Sequence, residues 1–142
     1  MSNRGQKVVI VPCSGIGKTF GSVSREAAYE VTEDMRPAGT ELVPLSLLVL
    51  GDEDAREAVS ERATVTIDGC KLACATKMVQ ESGGTVAQQF TVLDTFRRHR
   101  QFKSQGIAEL DEGGKQLARA LAGEIAAAVD GFSGNGRGKK DA

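Results

Sequence analysis

A chain of 142 residues is one domain by the ordinary size of domains. Hydrophobic residues make up 40% and aromatic ones only 4%, with no Trp, so the core must be built from Val, Leu, Ile, Ala and Met. Lys and Arg number 18 against 19 acidic residues, a net charge of −1, which predicts no concentrated basic surface and no nucleic-acid partner.

Taken in chain order, apolar runs alternate with helical spacing. Lys7 to Val11 reads as a buried strand, because a parallel strand is covered on both faces and loses its polar alternation. A turn with Gly15, Gly17 and Gly21 follows. Ser24 to Met35 reads as a helix with Ala27, Ala28, Val31 and Met35 on one face and Pro37 past its end. Glu41 to Leu50 reads as a second strand. Asp52 caps a helix that runs through Arg62, with Ala55, Ala58 and Val59 inward. Ala63 to Ile67 is a third strand ending at Asp68-Gly69. Cys70 to Glu81 reads as a helix stopped by Gly83-Gly84. Thr85 to Leu93 is a fourth strand, and the basic stretch Arg97 to Lys103 has no regular pattern. Leu110 to Val129 is a long Ala-rich helix, although Gly113, Gly114 and Gly123 weaken it.

This alternation predicts an α/β fold: a small open, mostly parallel sheet of about four strands with helices on both faces, Rossmann-like or flavodoxin-like. Residues 1–131 would form that single domain, and the Gly- and Lys-rich segment 132–142 a disordered tail. The apolar stretch Val8 to Val11 is too short for the core of a signal peptide, and Val43 to Leu50 is too short to span a bilayer. A cytoplasmic protein with reduced thiols and no membrane partner is the expectation.

The chemistry lies in three cysteines. Cys13 ends the first strand, and Cys70 and Cys74 bracket the turn after the third. If those strands are neighbours at the centre of the sheet, about 4.8 Å apart, the three sulfurs meet at its carboxyl edge, where open α/β sheets form their sites. Cys74 follows Cys70 by four residues, one helical turn, which puts both on the same side. Zinc takes a tetrahedron of ligands, and three thiolates fill three corners. Asp68, His99, water or a substrate atom could complete it. Cysteines spaced like this in a reducing compartment bind metal or react more often than they form structural disulfides. Copper(I) and iron–sulfur clusters suit thiolates as well as zinc does.

A second signal overlaps the first. Gly17-Lys18-Thr19 after a strand has the ending of a phosphate-binding loop, but the glycine that should open that loop is replaced by Pro12, which is rigid and offers no amide donor. Phe20-Gly21 also breaks an early helix. What survives is a simple anion site at Ser14, Gly15, Gly17 and Lys18. Asp94 to Arg100 carries four cationic side chains, His99 included, which read either as a solvated loop or as a contact for an anionic substrate or partner. A Cys70–His99 nucleophilic pair has no visible orienting residue, and no catalytic residue is assigned.

The block Val11-Pro12-Cys13-Ser14-Gly15-Ile16-Gly17-Lys18-Thr19-Phe20-Gly21, followed by Ser24-Arg25-Glu26-Ala27, resembles the start of the DGC-domain family. So does Ile67-Asp68-Gly69-Cys70 with Cys74-Ala75 after it. That family is named for its Asp-Gly-Cys tripeptide and is described as zinc-binding, with no function assigned. The resemblance spans most of residues 7 to 130. It implies that Cys13, Cys70 and Cys74 are metal ligands. The family is described with four cysteines and this chain has three, which argues against a closed four-cysteine site and for a three-ligand one. The resulting expectation is a zinc-binding protein, with Asp68 as fourth ligand or as support for the others. The alternative is a thiol redox or sulfur-transfer protein using the same cysteines. The partner would be a small molecule or a protein that the sequence does not name.

Overall fold

The computed structural model describes residues 7–13, 19–69, 73–99 and 112–141. Four strands, β1 (Val8–Pro12), β2 (Thr40–Leu42), β3 (Thr64–Asp68) and β4 (Val86–Thr91), form one sheet in the order β2-β1-β3-β4. Every pairing is parallel. The helices are α1 (Thr19–Tyr29), α2 (Leu45–Leu50), α3 (Glu53–Glu61), α4 (Cys74–Glu81), α5 (Val92–Arg98) and α6 (Glu112–Asp141). The sheet is therefore an open, parallel α/β sheet with β1 and β3 at its centre, as the alternation of elements predicts.

Period-two alternation along β1 divides the core between the two faces. Val8 and Ile10, with Val65 and Ile67 of β3, meet Ala27, Ala28 and Val31 from the first helical segment and the Leu117, Leu121 and Ile125 stripe of α6. Val9 and Val11 point the other way, onto Leu45, Leu48, Ala55, Val59, Ala75 and Val79 from α2, α3 and α4. The four-residue spacing of the α6 stripe keeps those side chains on one face. Small residues at Ala118 and Ala122 leave room for α6 to pack closely against its neighbours.

Local chemistry moves several boundaries from their sequence-based positions. α1 starts at Thr19 and runs through Gly21, so that glycine does not break it; Gly21 is buried and its carbonyl accepts the Ser24 hydroxyl at 2.8 Å. The helix then widens into a π-helical segment, Glu30–Met35, closed by the Arg36 amide on the Val31 carbonyl at 2.8 Å. The expected strand Glu41 to Leu50 is mostly not a strand. β2 stops at Leu42, since Pro44 carries no N–H for the ladder, and Leu45 to Leu50 coil into α2 with Leu45 and Leu48 buried three residues apart. Asp52 caps α3 as its sequence predicts, accepting the Ala55 amide at 2.9 Å. β4 ends at Thr91, whose hydroxyl accepts the Asp94 amide and opens α5. α6 runs on to Asp141, into the segment that composition marks as a tail.

Two contacts fix this packing. Beyond α4 the chain turns at Gly83 (φ 91°), and Gly84 then lies so close to α3 that a Cβ there would stand 2.7 Å from the Val59 carbonyl oxygen and 2.8 Å from a Val79 methyl. Both obstacles belong to the core, so Gly84→Ala should lower unfolding free energy by about 1–3 kcal/mol, read by urea denaturation. On the opposite face, Arg36 grips Asp130 of α6 with two hydrogen bonds of 2.7 Å. That hydrogen bonding, and secondarily the guanidinium charge, holds the Asp130 carboxyl below its ordinary range. A carboxyl lowered on folding stabilises above its unfolded pKa and loses that contribution as pH falls through the folded value. Asp130→Asn should therefore be less stable than the parent at neutral pH, with the gap closing on acidification through the carboxylate range.

Candidate functional site at the carboxyl edge of the sheet

Because α1, α4 and α5 each follow a parallel strand, their N-termini all open at the carboxyl edge of the sheet. Cys13 sits there, one residue beyond β1. Its amide donates to the Ile67 carbonyl at 2.8 Å, which extends the β1–β3 register in which Pro12 faces Ile67. Its own carbonyl accepts the Ser24 hydroxyl at 3.0 Å, a bond that this hydroxyl shares with the Gly21 carbonyl. Cys13 is thus held between β3 and α1 and is only 5% exposed.

Asp68, the last residue of β3, has no exposed surface. A carboxylate withdrawn from water has to be met by donors. Three reach it. The Ala75 amide donates to Oδ1 at 2.8 Å, and the Thr76 hydroxyl and Gln89 side-chain amide donate to Oδ2 at 2.6 and 2.9 Å. Since the Thr76 proton is committed to Asp68, Thr66, 2.7 Å away, is the donor in the Thr66–Thr76 pair. The protons therefore run in one direction, from Thr66 through Thr76 to the carboxylate.

This network does the work of a helix cap. The residue before α4 is Ala73, which has no side-chain acceptor and sits in the left-handed region at φ 56°. Helices normally satisfy their first amides with a Ser, Thr, Asp or Asn at that position. Here the acceptor comes from a strand instead, and it ties the start of α4 to the end of β3.

Cys74 is the first residue of α4, a free and exposed thiol. The expected helix from Cys70 to Glu81 is corrected to Cys74–Glu81. Ala73, just before α4, sits in the left-handed region, so the helix does not continue back through it. Cys70 lies outside the described residues, as do Ser14, Gly15, Gly17 and Lys18 of the expected anion site. Among the described residues no three His, Cys, Asp or Glu side chains cluster closely enough to hold a metal ion. Cys13, Asp68 and Cys74 are therefore not a complete ligand set on their own.

His99 belongs elsewhere. It caps the C-terminal end of α5, about 10 Å along the helix from the carboxyl edge where that helix begins. There its Nε2 lies 3.7 Å from Glu124 of α6, the same carboxylate that Arg98 reaches at 2.5 Å. Part of the basic stretch 97–103 is thus a clamp between α5 and α6, and residues 100–103 fall outside the described chain. Sequence reasoning missed Ser24, Thr66, Thr76 and Gln89. They are ordinary polar residues whose roles follow only from which strands and helices adjoin.

The model of the DGC domain matches this chain over residues 9–128, which includes the Cys13 turn and the Asp68-Gly69-Cys70 run. The chain belongs to the DGC-domain family. No curated protein and no solved structure matched it. In this DGC domain the Asp of the naming tripeptide is a buried acceptor that organises α4. Among the described residues, no helix is long and apolar enough to cross a membrane.

Removing the Asp68 acceptor strands three donors at once. Asp68→Ala should lose at least about 2 kcal/mol of stability, and amide exchange at Ala75 should accelerate. Asp68→Asn should lose less, because the Thr76 hydroxyl and the Gln89 amide can both reorient to meet an amide group. Denaturant unfolding together with hydrogen exchange of α4 checks both expectations.

Proposed function

We propose that this DGC domain binds zinc, or another thiophilic metal, through Cys13, Cys70 and Cys74 at the carboxyl edge of the sheet. The observation that carries the reading is the β1–β3 register. Cys13 donates its amide to Ile67, the residue just before the Asp-Gly-Cys run. The same run supplies Asp68, which anchors the helix that begins with Cys74. Three thiolates supply three corners of a tetrahedron and leave the fourth for water or a ligand atom.

Cys70 is the indispensable member, since Cys13, Asp68 and Cys74 do not make a three-ligand group without it. Both oxygens of Asp68 already accept hydrogen bonds, so its role in this reading is to position α4 rather than to serve as fourth ligand. The core is complete on both faces without any metal, so the ion would serve ligand binding or regulation rather than folding. Reduced thiols of this kind suit a cytoplasmic protein.

A second reading is favoured by one feature. Cys74 is an exposed, free thiol at a helix start, open to a disulfide or persulfide partner. In that case the same cysteines serve thiol redox or sulfur transfer.

Metal analysis of the full chain purified without chelator separates the two. The metal reading expects about one zinc per chain, lost in each of Cys13→Ser, Cys70→Ser and Cys74→Ser. Metal-free protein whose thiols titrate rapidly and oxidise to an intrachain disulfide would overturn it in favour of the redox reading.

A further inference from the structure

Arg25 is a cation with one terminal nitrogen that meets no acceptor among the described residues. It follows Ser24, whose hydroxyl binds this turn of α1 to the Cys13 carbonyl at the carboxyl edge. Its guanidinium folds back toward the start of the helix, where Nη2 donates to the Ser22 hydroxyl oxygen at 3.2 Å. The other terminal nitrogen, Nη1, is closed off from solvent and meets no acceptor among the described residues. Arg36, Arg62 and Arg98, by contrast, each reach a carboxylate, on Asp130, Glu41 and Glu124. The acidic neighbour of Arg25 in sequence, Glu26, is exposed, and no ion pair joins Arg25 to any described acid.

Arg25 is only partly buried, but a shielded N–H of a charged group that meets no acceptor still carries a desolvation cost. Its persistence is explained if the acceptor arrives from outside the chain. The guanidinium is a planar fork that presents parallel N–H groups, a match for two oxygens of a carboxylate or a phosphate. Ser22 holds that fork at its Nη2 corner and so sets its orientation. The start of α1, three residues before Ser22, adds the positive end of a helix dipole on the same side.

We propose that Arg25, oriented by Ser22 near the start of α1, is an oxyanion-binding residue that receives the phosphate or carboxylate group of a ligand at the carboxyl edge. This assignment is independent of the metal reading, because it uses no thiol. It would hold in a metal protein and in a redox protein alike.

The test uses the full chain labelled with nitrogen-15, with inorganic phosphate and acetate as separate probes at constant ionic strength. The Arg25 side-chain Nε–Hε resonance is assigned by its disappearance in Arg25→Lys. The expected result is a saturable shift of that resonance, with Arg25→Gln binding the same anion at least about tenfold more weakly. Saturation by phosphate alone identifies a phosphoryl ligand, and saturation by acetate a carboxyl one. A resonance that neither anion moves would overturn the assignment, as would equal affinity in Arg25→Gln. If Arg25→Gln does not fold, as judged by circular dichroism, the titration of the parent decides alone.

Discussion

The parallel ladder between β1 and β3 constrains every other part of this molecule. With both strands buried on both faces, neither can turn a side to water, and helices must cover the sheet above and below. A parallel connection cannot be a hairpin, so each strand hands the chain to a helix that carries it back across the sheet. The helices that follow β1, β3 and β4 must then begin at the same edge. Cys13, Asp68 and Cys74 are found at that edge for this reason, and not because of any attraction among them.

Asp68 turns that arrangement into a fixed geometry. The strand ends on a carboxylate that no water reaches, and α4 begins on a residue that cannot cap it. Each defect is costly alone, and each satisfies the other. The bond between Asp68 and Ala75 ties the end of β3 to the first turn of α4. Just before α4, Ala73 adopts a left-handed backbone, a conformation that a non-glycine residue keeps only where its surroundings determine it. This network therefore fixes the Asp of the tripeptide for which the family is named.

How far this was legible in the sequence depended on the range of each interaction. The alternation of apolar runs with helical spacing gave away the parallel sheet, because burial on two faces leaves a pattern that needs no knowledge of partners. The Asp52 cap was readable for the same reason: donor and acceptor lie three residues apart. Leu45 to Leu50 reads as strand in the sequence and folds as helix, because a short apolar run carries no clear period. Pro44, which ends the ladder, was the signal that should have decided it. Asp68 was recognised as a site residue for its place beside Cys70, but its true partners, Ala75, Thr76 and Gln89, are brought to it by the helix and by the neighbouring strand. No local pattern encodes that meeting. The start of α4 was missed by the same logic, since its cap comes from seven residues away.

One electrostatic consequence joins the two proposals made for this edge. The helices that follow the parallel strands turn the positive ends of their dipoles toward it. Arg25 adds a full charge, one of whose terminal nitrogens has no described acceptor. The one buried acid among the described residues, Asp68, is surrounded by donors that already answer its charge, so it does little to offset the rest. Such a field favours negative groups from whatever source. Thiolates of the cysteines are one source, and the oxygens of an anionic ligand are another. A metal ion held by three thiolates would itself leave a net negative cluster, which this edge is built to tolerate. A ligand carrying both a soft donor and an acidic group would therefore satisfy the two proposals at once.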